Sequence, residues 1–307
     1  EDLNVDKPTL SIWKPMNVLS EELFVMERNP YFWAVDGEGQ QLPYIDRVTH
    51  RLYGSEDVFN LWIVNGEIDV QARNVEISNI TLFKENEASG DYQVYQGLDE
   101  SHIGLQGNQA SKDARLSEFF GDRNVRIALS LAVNREEINQ LVYDGMGVPR
   151  QYSPLERTPQ YHEQLSNAYI EFDPERANAL LDEAGYIERN AEGFRLFKDG
   201  SGDVLSFIIE GIDEAGSPSE DAAQLVVRYF QEVGLLATYK YIERSLYQER
   251  CDANDIACGW WGGDRTELPM MDAGIFIGTQ PQRMWSGAWA LWKRSGGTDP
   301  NGVEPPE

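Results

Sequence analysis

The chain has 307 residues, of which 41% are hydrophobic and 25% charged, and it contains no apolar run long enough to cross a bilayer. This length favours two domains, each large enough to build its own core. The net charge of −26, from 52 acidic and 26 basic residues, repels phosphate backbones and anionic membranes, so it argues against nucleic-acid binding.

Cysteine and histidine usage predicts no metal site. The two cysteines, Cys251 and Cys258, leave the redox compartment open, because a disulfide suits an exported protein and two separately buried thiols fit equally well. The three histidines are scattered and there is no C-x-x-C pair, so we expect no metal cluster. The chain begins at Glu1, which we interpret as processing or as excision from a longer protein.

The first hundred residues are predicted to contain strands, one helix and a long loop. Residues 27–46 form that loop between strands at 23–26 and 48–53, and its aromatic side chains are expected to dock on a core. Ser55 is placed to cap a helix that ends near Gly66. A strand at 68–70 would then complete a βαβ-like unit.

A further strand at 92–95 leads to residues 101–108, which partly alternate and are predicted to cross between the two domains. Beyond residue 124 the pattern becomes helical, with Asn134 and Asp173 as helix caps and Pro174 at a first helical position. The second half alternates between strands at 204–209, 235–242 and 256–260 and helices at 219–233 and 246–251. This alternation predicts α/β packing with parallel strand pairs.

The end of the strand at 256–260 is the strongest candidate binding site. Ligands of open α/β sheets gather beyond the carboxyl ends of the strands, and here two indoles precede a diglycine, an acid and a base. The indoles offer flat surfaces for a planar, sugar or side-chain face, and the acid offers a partner for a ligand cation. The alternative is that one indole packs in the core and that the acid pairs with the neighbouring base or caps a turn. The candidates are Trp260, Trp261, Asp264 and Arg265.

Weaker candidates lie elsewhere in the chain. Tyr152 lies within the turn-rich loop at 147–159. Gln106 and Asn108 lie in the predicted crossing segment, where they either reach a cleft between domains or satisfy backbone groups. A second tryptophan cluster, Trp285, Trp289 and Trp292, has helical spacing and is interpreted as a buried helix face.

Signatures of enzymes are missing from the sequence. There is no G-x-S-x-G, no G-x-x-x-x-G-K-[ST], no H-E-x-x-H and no G-x-G-x-x-G after a strand. Among 52 acidic residues a chance carboxylate pair carries almost no information about catalysis. We therefore predict no catalytic residues, no cofactor and no metal.

Several motifs together resemble the extracytoplasmic solute-binding proteins of ABC importers, specifically the peptide/nickel/oligopeptide-binding family. In chain order they are Glu27-Arg28-Asn29-Pro30-Tyr31-Phe32-Trp33, Leu42-Pro43-Tyr44-Ile45-Asp46, Gly66-Glu67-Ile68-Asp69-Val70, Asn124-Val125-Arg126-Ile127-Ala128-Leu129-Ser130-Leu131-Ala132-Val133-Asn134-Arg135-Glu136, Tyr169-Ile170-Glu171-Phe172-Asp173-Pro174 and Ala179-Leu180-Leu181-Asp182-Glu183-Ala184-Gly185-Tyr186.

The resemblance implies a periplasmic-binding-protein-like, two-lobed α/β fold with mixed sheets flanked by helices, here incomplete at both ends. Residues 1–100 would belong to lobe one and residues 101–307 to most of lobe two. Such a piece is expected to fold largely through its second lobe and to bind ligand weakly by itself. The family implies a monomer, periplasmic or extracellular and with a lipid anchor in some full-length members, that passes a small solute to a membrane permease.

One site residue can be carried over from the resemblance. In peptide-binding members an acid soon after a Gly-Trp strand end pairs with the ligand's α-amino group, and Asp264 stands where that acid would be, one residue later than usual. The tryptophan-rich setting is more similar to members that take oligosaccharides, so peptide and sugar both stay open. The rival classes are a carbohydrate-active hydrolase with paired carboxylates and a solute sensor that signals without transport.

Overall fold

The computed structural model describes residues 4–97, 103–262, 269–271 and 273–306. Its backbone divides into two compact units, Glu1–Gln96 and Gly97–Glu307. Within the described ranges, no helix combines the length and the apolar character needed to span a membrane.

The first unit is built on a three-stranded antiparallel sheet in the order β1-β2-β3. Its central strand β2 (Leu23–Arg28) pairs on one side with β1 (Trp13–Pro15) and on the other with β3 (Arg47–Arg51). Three helices and a 3₁₀ turn follow the sheet: α1 (Glu56–Val64), the turn Ile77–Asn79, α2 (Ile80–Glu85) and α3 (Glu87–Gly90).

Helix α1 forms as expected, but the prediction of a βαβ-like unit around it is wrong. The Ser55 hydroxyl accepts a hydrogen bond from the Val58 amide at 3.4 Å, which caps the helix. Residues 68–70 and 92–95 are not strands, and Val70 and Tyr95 are 88% and 84% exposed. A short alternating segment becomes a strand only when a neighbouring strand pairs with it, and these two segments have no such neighbour among the described residues.

The aromatic loop between β2 and β3 also differs from the expectation. Tyr31, Trp33 and Tyr44 are 90%, 78% and 63% exposed, so they do not dock on a core within the described residues. The loop is ordered by its own polar groups, since the Gln41 amide donates to the carbonyls of Pro30 and Phe32 at 2.9 and 2.7 Å.

The second unit contains a four-stranded mixed sheet in the order β4-β7-β5-β6. Strands β5 (Ser206–Gly211), β6 (Leu236–Tyr241) and β7 (Cys258–Gly262) are parallel, and β4 (Ile103–Gly107) joins antiparallel at the edge beside β7. The parallel pairs and the mixed α/β class predicted from the alternating pattern are confirmed. The carboxyl ends of β5, β6 and β7 meet at one edge of this sheet, which we call the carboxyl edge.

The helices of this unit begin where the sequence places their caps. The Asp173 carboxylate accepts from the Arg176 amide at 2.9 Å, and the Asn134 side chain accepts from the Glu137 amide at 3.0 Å. The helices are α4 (Ala114–Gly121), α5 (Arg123–Leu131), α6 (Arg135–Val142), α7 (Glu163–Ser166), α8 (Pro174–Glu183), α9 (Pro218–Glu232), α10 (Arg244–Asp252), α11 (Gly274–Ile277) and α12 (Gly287–Ser295), with a 3₁₀ turn at Met284–Ser286.

Both faces of the sheet are covered, and strand β7 contributes to both. On one face a large core forms from α4, α5, α8 and α9 and includes Cys258 and Trp260. On the other face a smaller cluster includes Tyr247, Cys251 and Met284, with Trp261 packed against it. Successive residues of a strand point to opposite faces, which explains why neighbouring residues of β7 belong to different clusters.

The two cysteines are separate, buried thiols, which settles the alternative that the sequence left open. Cys258 belongs to the larger core and Cys251 to the smaller cluster on the opposite face of β7. Burial raises the pKa of Cys251 to about 12 and also raises the pKa of Cys258, so neither thiol forms the reactive thiolate at neutral pH.

We expect an aromatic disulfide reagent at pH 8 to modify neither cysteine in the folded chain and both cysteines in 6 M guanidinium chloride. The reagent needs an accessible thiolate, which only unfolding supplies. The measurement is the absorbance of the released thiol with and without denaturant. Rapid modification of the folded chain would contradict the buried positions of both residues.

Candidate functional site

The two tryptophans at the end of β7 have different surroundings. Trp260 is only 4% exposed, and its indole Nε1 donates to the Ser219 hydroxyl oxygen at 3.1 Å and to the Ser219 carbonyl at 3.2 Å. Its packing and its hydrogen bonds are therefore satisfied inside the chain, as the core alternative predicted for one of the two indoles.

Trp261 lies on the other face and is half-buried. One side chain of α10, Tyr247, stacks on its ring with centroids 5.0 Å apart and planes 21° apart. The Arg244 guanidinium, one helical turn earlier, lies 5.5 Å from the ring centroid. Helix α10 thus fixes the orientation of this indole while leaving part of its surface exposed, so of the two indoles Trp261 is the one that can meet a solute.

Asn108 and Gln106 also differ. Asn108 is fully buried, and its amide nitrogen donates to the Asn254 side chain and the Ile256 carbonyl, both at 2.8 Å. Its side-chain oxygen accepts from the Ala110 amide at 3.0 Å, so both polar atoms of the Asn108 side chain bond within the chain itself. Gln106 in β4 is half-buried, and its enclosed Oε1 has no hydrogen-bond partner among the described residues.

Tyr152 is held beside a second aromatic ring. It stacks on Phe276 of α11 with ring centroids 5.3 Å apart and an interplanar angle of 16°. The preceding residue anchors the loop, because the Gln151 amide donates to the Ser130 hydroxyl oxygen and to the Ala168 carbonyl, both at 2.7 Å. The loop that carries Tyr152 is therefore fastened to α5, and its ring has a defined position.

The last candidates from the sequence are a second tryptophan cluster and two charged residues. Trp285, Trp289 and Trp292 are half-buried, and the first two pack edge to face with ring centroids 6.3 Å apart. Trp285 lies in the 3₁₀ turn before α12, not on the same helix as the other two. The predicted contacts of Asp264 and Arg265 lie outside the described residues.

The carboxyl edge carries a further carboxylate that the sequence reasoning did not single out. Asp213 lies two residues beyond β5, and burial raises the pKa of its carboxyl group while a hydrogen bond from Ser219 opposes that shift. The Tyr239 hydroxyl of β6 donates to the Asp213 carbonyl at 2.8 Å. Asp213 comes just after a strand that the sequence predicted as parallel, and this position was the signal that could have made it a candidate.

A buried ion pair joins β5 to α10. Glu210 in β5 is 4% exposed and accepts two hydrogen bonds from Arg250 of α10, each 2.9 Å long. Arg250 also donates to the Asp255 carbonyl at 3.0 Å. This two-pronged contact ties α10, and with it the Trp261 platform, to the centre of the sheet.

Comparison with known proteins gives the family. The family model described as bacterial extracellular solute-binding proteins, family 5, middle region, matches residues 13–276. The chain belongs to the family 5 solute-binding proteins. The resemblance read from the sequence motifs is thereby confirmed, and the family as a whole consists of binding proteins, not enzymes.

Individual family 5 proteins differ in what their names say they bind. The periplasmic alpha-galactoside-binding protein of Rhizobium meliloti is 24% identical over 242 residues, which cover 74% of this chain and 34% of that protein. The oligopeptide-binding protein AppA of Bacillus subtilis is 26% identical over 229 residues, which cover 71% of this chain and 38% of that protein.

A solved structure shares the fold over the whole chain. An oligopeptide-binding protein OppA superposes with a TM-score of 0.65 and 36% identity, covering 100% of this chain and 51% of the other. The chain thus spans about half the length, or less, of the family 5 proteins to which it is similar.

Proposed function

We propose that this chain is part of the substrate-binding component of an ABC importer, which captures an oligopeptide or oligosaccharide between two lobes and delivers it to a membrane permease. The observation that carries this proposal is the family 5 match across residues 13–276. The names of the two curated relatives supply the two ligand classes, an alpha-galactoside and an oligopeptide.

The carboxyl edge of the sheet supports a binding role. It presents the partly exposed Trp261 on an ordered platform, and the anchored Tyr152 ring is a further candidate contact. Gln106 lies opposite Gly259 near the start of β7, away from this edge, and stays in the proposal as a residue with an enclosed acceptor atom. Asp264 and Arg265 stay in the proposal as residues that follow this edge in the sequence, with Asp264 as a partner for a ligand ammonium group.

The partner and the location follow from the same assignment. The matched family is described as extracellular, so we place this protein in the periplasm or at the cell exterior. A lipid anchor on the full-length protein is a separate part of this proposal. We also propose that it works as a monomer and binds no nucleic acid, because a net charge of −26 repels polyanions.

A ligand screen on the full-length protein tests this function. We expect a member of an oligosaccharide or oligopeptide library to raise the melting temperature, since a ligand that binds only the folded state stabilises it. The Trp261→Ala variant should then bind that ligand about tenfold or more weakly, because it loses a fixed aromatic contact.

Trp62→Ala is the matched control, since Trp62 is also half-buried but packs under Arg51 in the first unit. Its affinity should equal that of the wild type. Equal loss of affinity in both variants would contradict the assignment of Trp261. Hydrolysis of a chromogenic glycoside, lost on replacing a single carboxylate, would replace the binding proposal with the hydrolase alternative.

A further inference from the structure

Asp213 is held in place by three neighbouring elements. The Tyr239 hydroxyl fixes its backbone carbonyl from β6, and the Ser219 hydroxyl at the start of α9 bonds its carboxylate. Ser219 is fixed in turn by the indole of Trp260 in β7, with a nitrogen–oxygen distance of 3.1 Å. The carboxylate therefore has a defined position at the carboxyl edge before any solute arrives.

Gly211 allows this arrangement to form. A Cβ atom at this position would lie 2.8 Å from the Tyr239 hydroxyl oxygen and 3.1 Å from the Trp260 Cβ. Only a residue without a side chain lets the phenol pass over the end of β5 to reach Asp213. A glycine at the end of β5 thus lets the Tyr239 hydroxyl reach the Asp213 backbone carbonyl and fix the turn that carries this residue.

Among the residues that the structure describes, no cationic side chain pairs with Asp213. The ion pairs among the described residues do not include Asp213, although burial removes much of the water from its carboxyl group. The nearby acids are Glu214, which accepts from the Tyr241 hydroxyl at 2.9 Å, and Glu220. A partly buried carboxylate with one hydroxyl partner and no cation reduces stability when it is ionised.

The hydrogen bond from Ser219 offsets only part of this cost, since burial still raises the pKa of the Asp213 carboxyl group. The Tyr239 hydroxyl bonds the backbone carbonyl, which any residue at position 213 would supply, and Trp260 bonds Ser219 directly. Carboxylates that are desolvated without a compensating partner are concentrated at functional sites. The remaining acceptor capacity of Asp213 is consequently available to a solute at this edge.

We propose that the Asp213 carboxylate is a ligand-recognition group that accepts a hydrogen bond from a donor on the captured solute. A sugar hydroxyl and a peptide ammonium both supply that donor. This inference rests on the proposed solute-binding function and adds to it a specificity-determining residue other than Asp264.

The test compares Asp213→Asn with Glu214→Gln in the full-length protein. Both changes remove one negative charge from adjacent residues and keep the size of the side chain, but Glu214 is exposed. The probes are stachyose, as an alpha-galactoside, and tetra-alanine, as a peptide, with affinities measured by calorimetry and melting temperatures measured at pH 7. Binding of either probe by the wild type tests the proposed function separately.

We expect Asp213→Asn to weaken binding of the probe at least about tenfold, and Glu214→Gln to leave it within about twofold. The melting temperature of Asp213→Asn should equal or exceed that of the wild type. A raised pKa in the folded state means that the ionised carboxylate disfavours folding at pH 7, so a neutral amide removes that cost.

Two results would overturn the inference. One is an unchanged affinity of Asp213→Asn for a probe that the wild type binds. The other is a melting temperature of Asp213→Asn several degrees below that of Glu214→Gln, which would assign Asp213 to structure alone. If the wild type binds neither probe, the melting temperatures still test the role of Asp213. A value for Asp213→Asn equal to or above the wild type supports a functional carboxylate, and a value several degrees lower supports a structural one. The probe whose affinity falls shows whether the donor is a sugar hydroxyl or a peptide ammonium group.

Discussion

Replacing Arg195 by alanine is expected to lower the free energy of unfolding by about 3 kcal/mol. Arg195 is fully buried, and its guanidinium donates to the Asp182 carboxylate at 2.5 Å and to the Val233 carbonyl at 3.0 Å. It also donates to the Tyr186 carbonyl and to the Asn178 side chain. This single side chain joins the end of α8 to the end of α9.

The cost arises from the acceptors that the substitution leaves behind. Asp182 is half exposed and regains water, but the Tyr186 and Val233 carbonyl groups lose the donor that Arg195 supplies from the interior. A lysine cannot replace the guanidinium, because an ammonium group does not reach acceptors spread around a planar fork. We therefore expect Arg195→Lys to recover less than half of the lost stability.

Arg189→Ala provides the matched control for this prediction. Arg189 carries the same charge and donates to the same Asn178 side chain at 2.8 Å, but it is exposed. Its removal should cost no more than about 1 kcal/mol in urea denaturation. Equal losses for the two variants would show that burial of Arg195 does not determine its contribution.

Replacing Arg250 by methionine is expected to cost about 3 kcal/mol, because the substitution strands the Glu210 carboxylate in the sheet. Glu210 is 4% exposed and its two oxygens both accept from Arg250. Since α10 also carries Tyr247, loosening this helix should additionally shift the fluorescence of Trp261.

The double variant Glu210→Gln/Arg250→Met tests the reason for the loss. A neutral amide tolerates burial better than an unpaired carboxylate, so the second change should restore part of the stability that Arg250→Met removes. Additive losses in this cycle, measured by chemical denaturation at pH 7, would contradict a direct interaction between the two side chains.

The second unit was largely predictable from the sequence because its signals are local. Asp173 with Pro174 marks the start of a helix by the chemistry of one turn, and the alternation of strands and helices after residue 204 specifies parallel pairing. The first unit was not predictable in this way. Residues 68–70 carry a strand-like pattern, but whether they pair depends on segments distant in the sequence.

The surroundings of the candidate residues were not predictable from the sequence. The sequence indicates the end of β7, yet only the pleat of the strand decides that Trp260 faces the core and Trp261 does not. Asp213 is one of 52 acidic residues, and its hydrogen-bond partners Tyr239 and Ser219 are brought to it by the fold from other elements.

The buried state of the two cysteines makes the native chain suitable for site-directed spectroscopy without prior removal of thiols. A cysteine introduced at an exposed position would be the sole site for a maleimide dye or a nitroxide in the folded protein. Val70 in the first unit and Val148 in the second are 88% and 79% exposed. A pair of labels at these positions would report the distance between the two units, and its change on adding solute, in solution.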